Sequence, residues 1–111
     1  MNVIQLSEGI RLRILSNSDA LTVSRIDFAR NAVAPVHHHP HEEVNVVLFG
    51  SFAFTVGGVL HTLGPGESVT VAPNTEHFIA DLGEGGAVLS VWTPSRTDLM
   101  AKLDALVLKA A

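Results

Sequence analysis

The chain has no cysteine and no tyrosine among its 111 residues. Without thiols, disulfides and thiolate metal sites are both excluded, so a bound metal would have to be held by nitrogen and oxygen. Charge is also scarce: Asp, Glu, Lys and Arg together make up 16% of the residues, and the net charge is −4. The arginines are scattered, so there is no basic stripe to meet a phosphate backbone, which argues against a nucleic-acid partner. So few charges suggest instead that part of the surface is covered by another chain. No apolar run approaches the ~18 residues of a bilayer-spanning helix. Residues 1–7 lack the charged start and apolar stretch of a secretory leader. The expected location is therefore the cytoplasm, with no membrane partner. The length suits a single domain over residues 1–111, and a hydrophobic content of 47% can supply its core.

What is present reads mostly as strand. Ile10, Leu12 and Ile14 alternate with Arg11 and Arg13, the period of two of a half-buried strand. A turn at 16–19 leads to a second strand over 21–29, and 31–35 reads as a connection. The β-branched run Val44–Phe49 ends at Gly50, and Gly57-Gly58 reads as a tight hairpin between 51–56 and 59–63. Short strands at 68–71, 78–81 and 87–92 complete an all-β core over 10–93. From about 96 to 109 the period changes: Leu99, Leu103, Leu106 and Ala110 fall at helical spacing, with Met100 and Val107 alongside and Asp98 in the first turn.

The chemistry is concentrated in His37-His38-His39-Pro40-His41-Glu42-Glu43 and in the distant His77. On a strand His37 and His39 share a face, which Glu43 and Asn45 rejoin if Pro40 leaves the register intact, with Val47 and Phe49 continuing it. His77, Ile79 and Asp81 share a face of a later strand. Three imidazoles and one carboxylate can converge on one divalent first-row ion (Ni, Zn, Mn or Fe), leaving positions open for water or substrate. A solvated histidine-rich loop without a role is the plain alternative. His38, His41 and His61 are expected at the surface or behind the ligands, His41 being able to stand in as one, and Glu42 is expected in solvent.

The stretch Asn31 to Gly50 resembles the first motif of the cupin family, and Gly66 to His77 resembles the second. Asn31 stands where glycine is usual, and Asn is the non-glycine residue that best tolerates positive φ. In the second motif Ala72 and Asn74 replace a proline and a glycine, and Asp81 replaces the final asparagine. The resemblance implies a small jelly-roll β-barrel, commonly dimeric, with His37, His39, Glu43 and His77 as the metal ligands. The string His39-Pro40-His41-Glu42-Glu43 and the stretch from Trp92 to Leu99 are similar to the pectin-degradation cupins, which open unsaturated uronate rings. That similarity implies that Arg96 pairs with a substrate carboxylate and that Trp92 presents a flat face to a sugar. Ser90 stands where those proteins carry a proton-moving aspartate.

Three functions are compatible with these residues. An isomerase- or lyase-like enzyme would act on a small oxygenated substrate such as a sugar acid, with Arg96, Ser90 and Trp92 around the metal and Asn45 and Asp81 as further polar candidates. A non-catalytic binding or sensing module would keep the metal without a proton carrier, as Ser90 and the missing tyrosine suggest. An Fe(II)-dependent dioxygenase would use the open positions for O2. Parity points Trp92 inward and Phe78 outward. Val44, Val46 and Leu48 lie opposite the ligand face and are all apolar, so the C-terminal helix, an N-terminal strand or a second copy of the chain has to cover them, and the low surface charge favours a homodimer.

Overall fold

The structure is a computed structural model describing residues 3–110, with side chains through Leu106. Among these residues are ten strands and one helix: β1 (Val3–Ser7), β2 (Ile10–Asn17), β3 (Thr22–Phe28), β4 (Val33–His37), β5 (Glu42–Phe49), β6 (Phe52–Val56), β7 (Val59–Leu63), β8 (Ser68–Val71), β9 (His77–Asp81), β10 (Gly86–Thr93) and α1 (Thr97–Ala110). They form the expected two-sheet barrel. One sheet has the order β1-β2-β3-β10-β5-β8 and the other β4-β9-β6-β7. Every pairing is antiparallel.

The period-two segments bury one face, as alternation requires. Ile10, Leu12 and Ile14 point into the barrel from β2, while Arg11 and Arg13 are exposed. The Gly57-Gly58 turn joins β6 to β7 with φ of 55° and 82°, the doubly left-handed geometry that suits the twist of a two-residue hairpin. Asn31 and Asn74 have φ of 59° and 60°, so both motif positions where asparagine stands for glycine are left-handed.

The register stacks the inward side chains in rungs. Trp92 lies between Thr22 and Glu43, Ser90 between Ser24 and Asn45, and Val88 between Ile26 and Val47, while Gly86 pairs with Phe28. β2 extends the lower rungs with Leu12 beside Ile26 and Ile10 beside Phe28. In the other sheet His77 lies between His37 and Val56, Ile79 between Ala34 and Phe54, and Asp81 beside Phe52. One end of the barrel is thus polar and the middle apolar.

Four expectations are corrected. Val3–Ser7 is a strand outside the 10–93 core, with Ile4 fully buried. The 31–35 connection runs into β4, an edge strand whose mostly exposed pattern carries no period. Phe49 does not continue the inward face. The β5–β10 pairing slips between Ala87 and Val88, and this bulge turns Phe49 outward, leaving it 50% exposed. The helix stripe is shorter than expected: Leu99 and Leu103 are buried but Leu106 is exposed, and the side chains of Val107 and Ala110 lie outside the described residues.

Asp81 faces inward, as its parity requires, but binds backbone rather than a ligand. Its Oδ2 accepts the N–H groups of Asn31, Gly83 and Gly85 at 2.9, 3.0 and 3.0 Å. Burial alone would raise its pKa, yet these donors hold it below the ordinary carboxylate value. Its stabilisation is therefore complete above the unfolded pKa and is lost as pH falls through the lower folded one. Asp81→Asn is expected to cost about 2 kcal/mol at neutral pH and to flatten the acid limb of stability, as read by urea unfolding between neutral and acidic pH.

Candidate metal centre

The histidines arrive from two segments. His37 ends β4, His39 lies in the loop before β5, and His77 opens β9 directly across from His37. The His37 and His77 ring centroids are 4.2 Å apart, and those of His39 and His77 are 5.1 Å apart. One ring nitrogen from each of the three lies within 4.8 Å of the others. His39 and His77 are buried, and His37 sits at the rim. Pro40 falls outside both strands, so His39 joins the cluster from loop backbone rather than through continuous strand alternation.

Which nitrogen faces the centre is set by the backbone. Nδ1 of His37 bonds the Pro35 carbonyl at 2.8 Å, Nδ1 of His77 the Thr75 carbonyl at 2.8 Å, and Nδ1 of His39 the His41 carbonyl at 3.2 Å. A carbonyl can only accept, so each Nδ1 carries hydrogen and Nε2 is turned to the centre. His77 Nε2 is buried there with no hydrogen-bond partner. An orphaned imidazole nitrogen beside two others is a donor set that fits a divalent first-row cation.

Glu43 lies against the same atoms. Its Oε1 is 3.0 Å from His39 Nε2 and its Oε2 is 3.5 Å from His77 Nε2. Trp92 Nε1 donates to Oε1, and Asn45 Nδ2 donates to Oε2 at 2.7 Å. Burial would raise the Glu43 pKa, but His39, His77 and Asn45 overcome it and hold the carboxyl well below its usual range. Burial likewise pulls His77 down, and the contact with Glu43 more than reverses this; His37, mainly through burial, is lowered.

The remaining candidates divide. Trp92, Ser90 and Arg96 line one cavity with His37 and Glu43. The Arg96 guanidinium stacks over the Trp92 ring, 4.7 Å from its centroid. Its Nε and Nη2 grip Asp98 at 3.0 and 2.8 Å, a partner that the sequence offered only as a helix-start residue. Ser90 Oγ donates to Asn45 Oδ1 at 2.6 Å, and the Ser90 carbonyl accepts from Ser24 Oγ at 3.1 Å. The two polar pocket candidates, Asn45 and Asp81, are thus bound to protein groups, Asn45 to Glu43 and Ser90 and Asp81 to loop backbone. His41 is buried and 5.3 Å from the His39 ring but outside the converging set, while His38 and Glu42 are exposed. Phe78 is only half-buried, consistent with its outward parity.

A cupin domain model matches residues 24–93. The chain belongs to the cupin family. This cupin is 29% identical over 97 residues to the pectin degradation protein KdgF of Dickeya dadantii, covering 86% of this chain and 88% of that one. Among solved structures it is similar to an RmlC-like cupin from Shewanella frigidimarina, with a TM-score of 0.82, 29% identity and 86% of each chain covered. It is also similar to KdgF from a Halomonas species, with a TM-score of 0.83, 25% identity and coverage of 89% and 91%.

If the three rings hold an ion, His39→Ala and His77→Ala each reduce bound metal by more than about tenfold. His38→Ala, at an exposed position, leaves it unchanged. Elemental analysis of dialysed protein checks this; equal loss in all three variants would mean that the ion sits elsewhere.

Proposed function

We propose that this cupin binds one divalent first-row metal ion through His37, His39, His77 and Glu43 and acts on a small oxygenated carboxylate by isomerase- or lyase-type chemistry. The observation that carries this reading is the set of three imidazoles, each fixed at Nδ1 by a carbonyl two residues away and converging on the partnerless His77 Nε2. Such an ion supplies Lewis acidity toward a carbonyl or hydroxyl oxygen.

The chain's own residues do the rest. Trp92 and Asn45 hold both oxygens of Glu43, which fixes the carboxylate's orientation. Arg96 is stacked on Trp92 and keeps an Nη1 edge clear of Asp98 with which to pair a ligand carboxylate. Ser90 cannot move a proton unaided, because its hydroxyl is committed to Asn45 and lacks a neighbouring base. That bond favours a second reading, in which the site retains a ligand without converting it.

An unsaturated uronate, suggested by the likeness to pectin degradation proteins, distinguishes the two. Metal-loaded protein that bleaches its ultraviolet absorbance is an enzyme, with Arg96→Ala slowing turnover at least about tenfold. A melting shift that depends on metal and Arg96, without bleaching, marks a binding module. If neither metal nor Arg96 alters the response to any small carboxylate, the proposal fails.

We also propose that a second copy covers the outer face of β5. Val91 lies between Val23 and Val44, and Leu89 lies beside Val46, so neighbouring strands form one apolar stripe that Leu48, 41% exposed, extends. Light scattering at micromolar concentration is expected to give twice the chain mass, and Val46→Glu to give the monomer. A monomeric parent protein would refute the dimer.

A further inference from the structure

The cavity that meets the metal centre has a volume of about 220 Å³ and changes character with depth. At its polar end stand His37, Glu43, Trp92 and Arg96. One rung down is Ser90, and below it the wall is hydrocarbon: Leu12 beside Ile26, then Ile10 beside Phe28. Ile79 faces them from the other sheet and Leu99 from α1. Successive rungs are two residues apart, about 7 Å, so the apolar part is as deep as a short carbon chain is long.

Few polar groups there are free to receive a ligand. Both Glu43 oxygens already accept N–H donors, and the Ser90 hydroxyl is bound to Asn45. Arg96 keeps a donor edge beyond the one that holds Asp98. In the deeper part Ser7 Oγ is buried without a partner, a single hydroxyl against a hydrocarbon wall. A polyhydroxylated body placed there would leave most of its hydroxyls unpaired, and a buried unpaired hydroxyl weakens binding. A hydrocarbon body gains from every buried methylene.

We infer that the ligand of this site is an α-oxygenated carboxylate with a short hydrocarbon body: its charged head on Arg96 and the metal centre, its body against Leu12, Ile26, Phe28 and Ile10. The inference rests on the proposed metal and Arg96 reading for the head and departs from a sugar acid for the body.

The matched probes are 2-hydroxyhexanoate and gluconate, open six-carbon acids that share the α-hydroxy carboxylate head and differ in the hydroxyls of the body. Trp92 is the only tryptophan and there is no tyrosine, so intrinsic fluorescence reports the cavity alone. Metal-loaded protein is expected to bind 2-hydroxyhexanoate at least about tenfold more tightly. Ile26→Thr, which puts a hydroxyl on the apolar wall, is expected to shrink that preference several-fold with metal content unchanged. Leu6→Asn does the same at a cavity-lining position that is 37% exposed and so tolerates substitution without loss of fold. Equal or tighter binding of gluconate, lost in Arg96→Ala, would overturn the hydrocarbon-body inference while leaving the head reading intact. Binding of neither acid to protein that demonstrably holds metal would overturn both.

Discussion

A buried carboxylate organises this barrel. Glu43 is 3% exposed, and an ionised carboxylate so placed is tolerated only when its oxygens are met by donors. The donors come from separate parts of the chain, Asn45 from the same strand and Trp92 from β10, and the rings of His39 from the preceding loop and His77 from the opposite sheet lie against the same oxygens. Satisfying one charge therefore draws the two sheets together at one end. The same demand fixes Trp92, and through it the stacking surface for Arg96. Below this rung the buried carboxylate of Asp81 is met by loop backbone donors, which leaves the wall between the two charges free to be hydrocarbon.

The fold was legible where side-chain parity is simple. Ile10, Leu12 and Ile14 announced a half-buried strand because one face of β2 meets the core and the other meets water. The left-handed asparagines were legible as well, because few residues accept that backbone. The edge strand β4 was harder: it has little burial to alternate, so its composition reads as a loop. The inward placement assigned to Phe49 failed because a bulge shifts parity by one residue, and the sequence carries no local mark of it.

The site was legible as a set of converging side chains but not as a network. The spacing of His37, His39 and Glu43 and the later His77 predicted their convergence, whereas the pairing of Arg96 with Asp98 and of Ser90 with Asn45 depends on rotamers that no spacing encodes. Asn45 and Asp81 show the difference. Both face inward, yet one orients a carboxylate and the other ties three loop amides. In this barrel both of these inner-face polar residues hold the protein rather than await a ligand.

The anchoring of the histidine rings bears on how the centre assembles. Each Nδ1 is held by a carbonyl only two residues away in its own segment: Pro35 for His37, His41 for His39 and Thr75 for His77. Ring orientation is therefore a local property of each segment and does not wait for the barrel to close. What remains is a single long-range event, the docking of β9 against β4, which brings already aimed nitrogens together. Little rotamer freedom is left in the rings, so an ion held there would meet nitrogens that are already aimed.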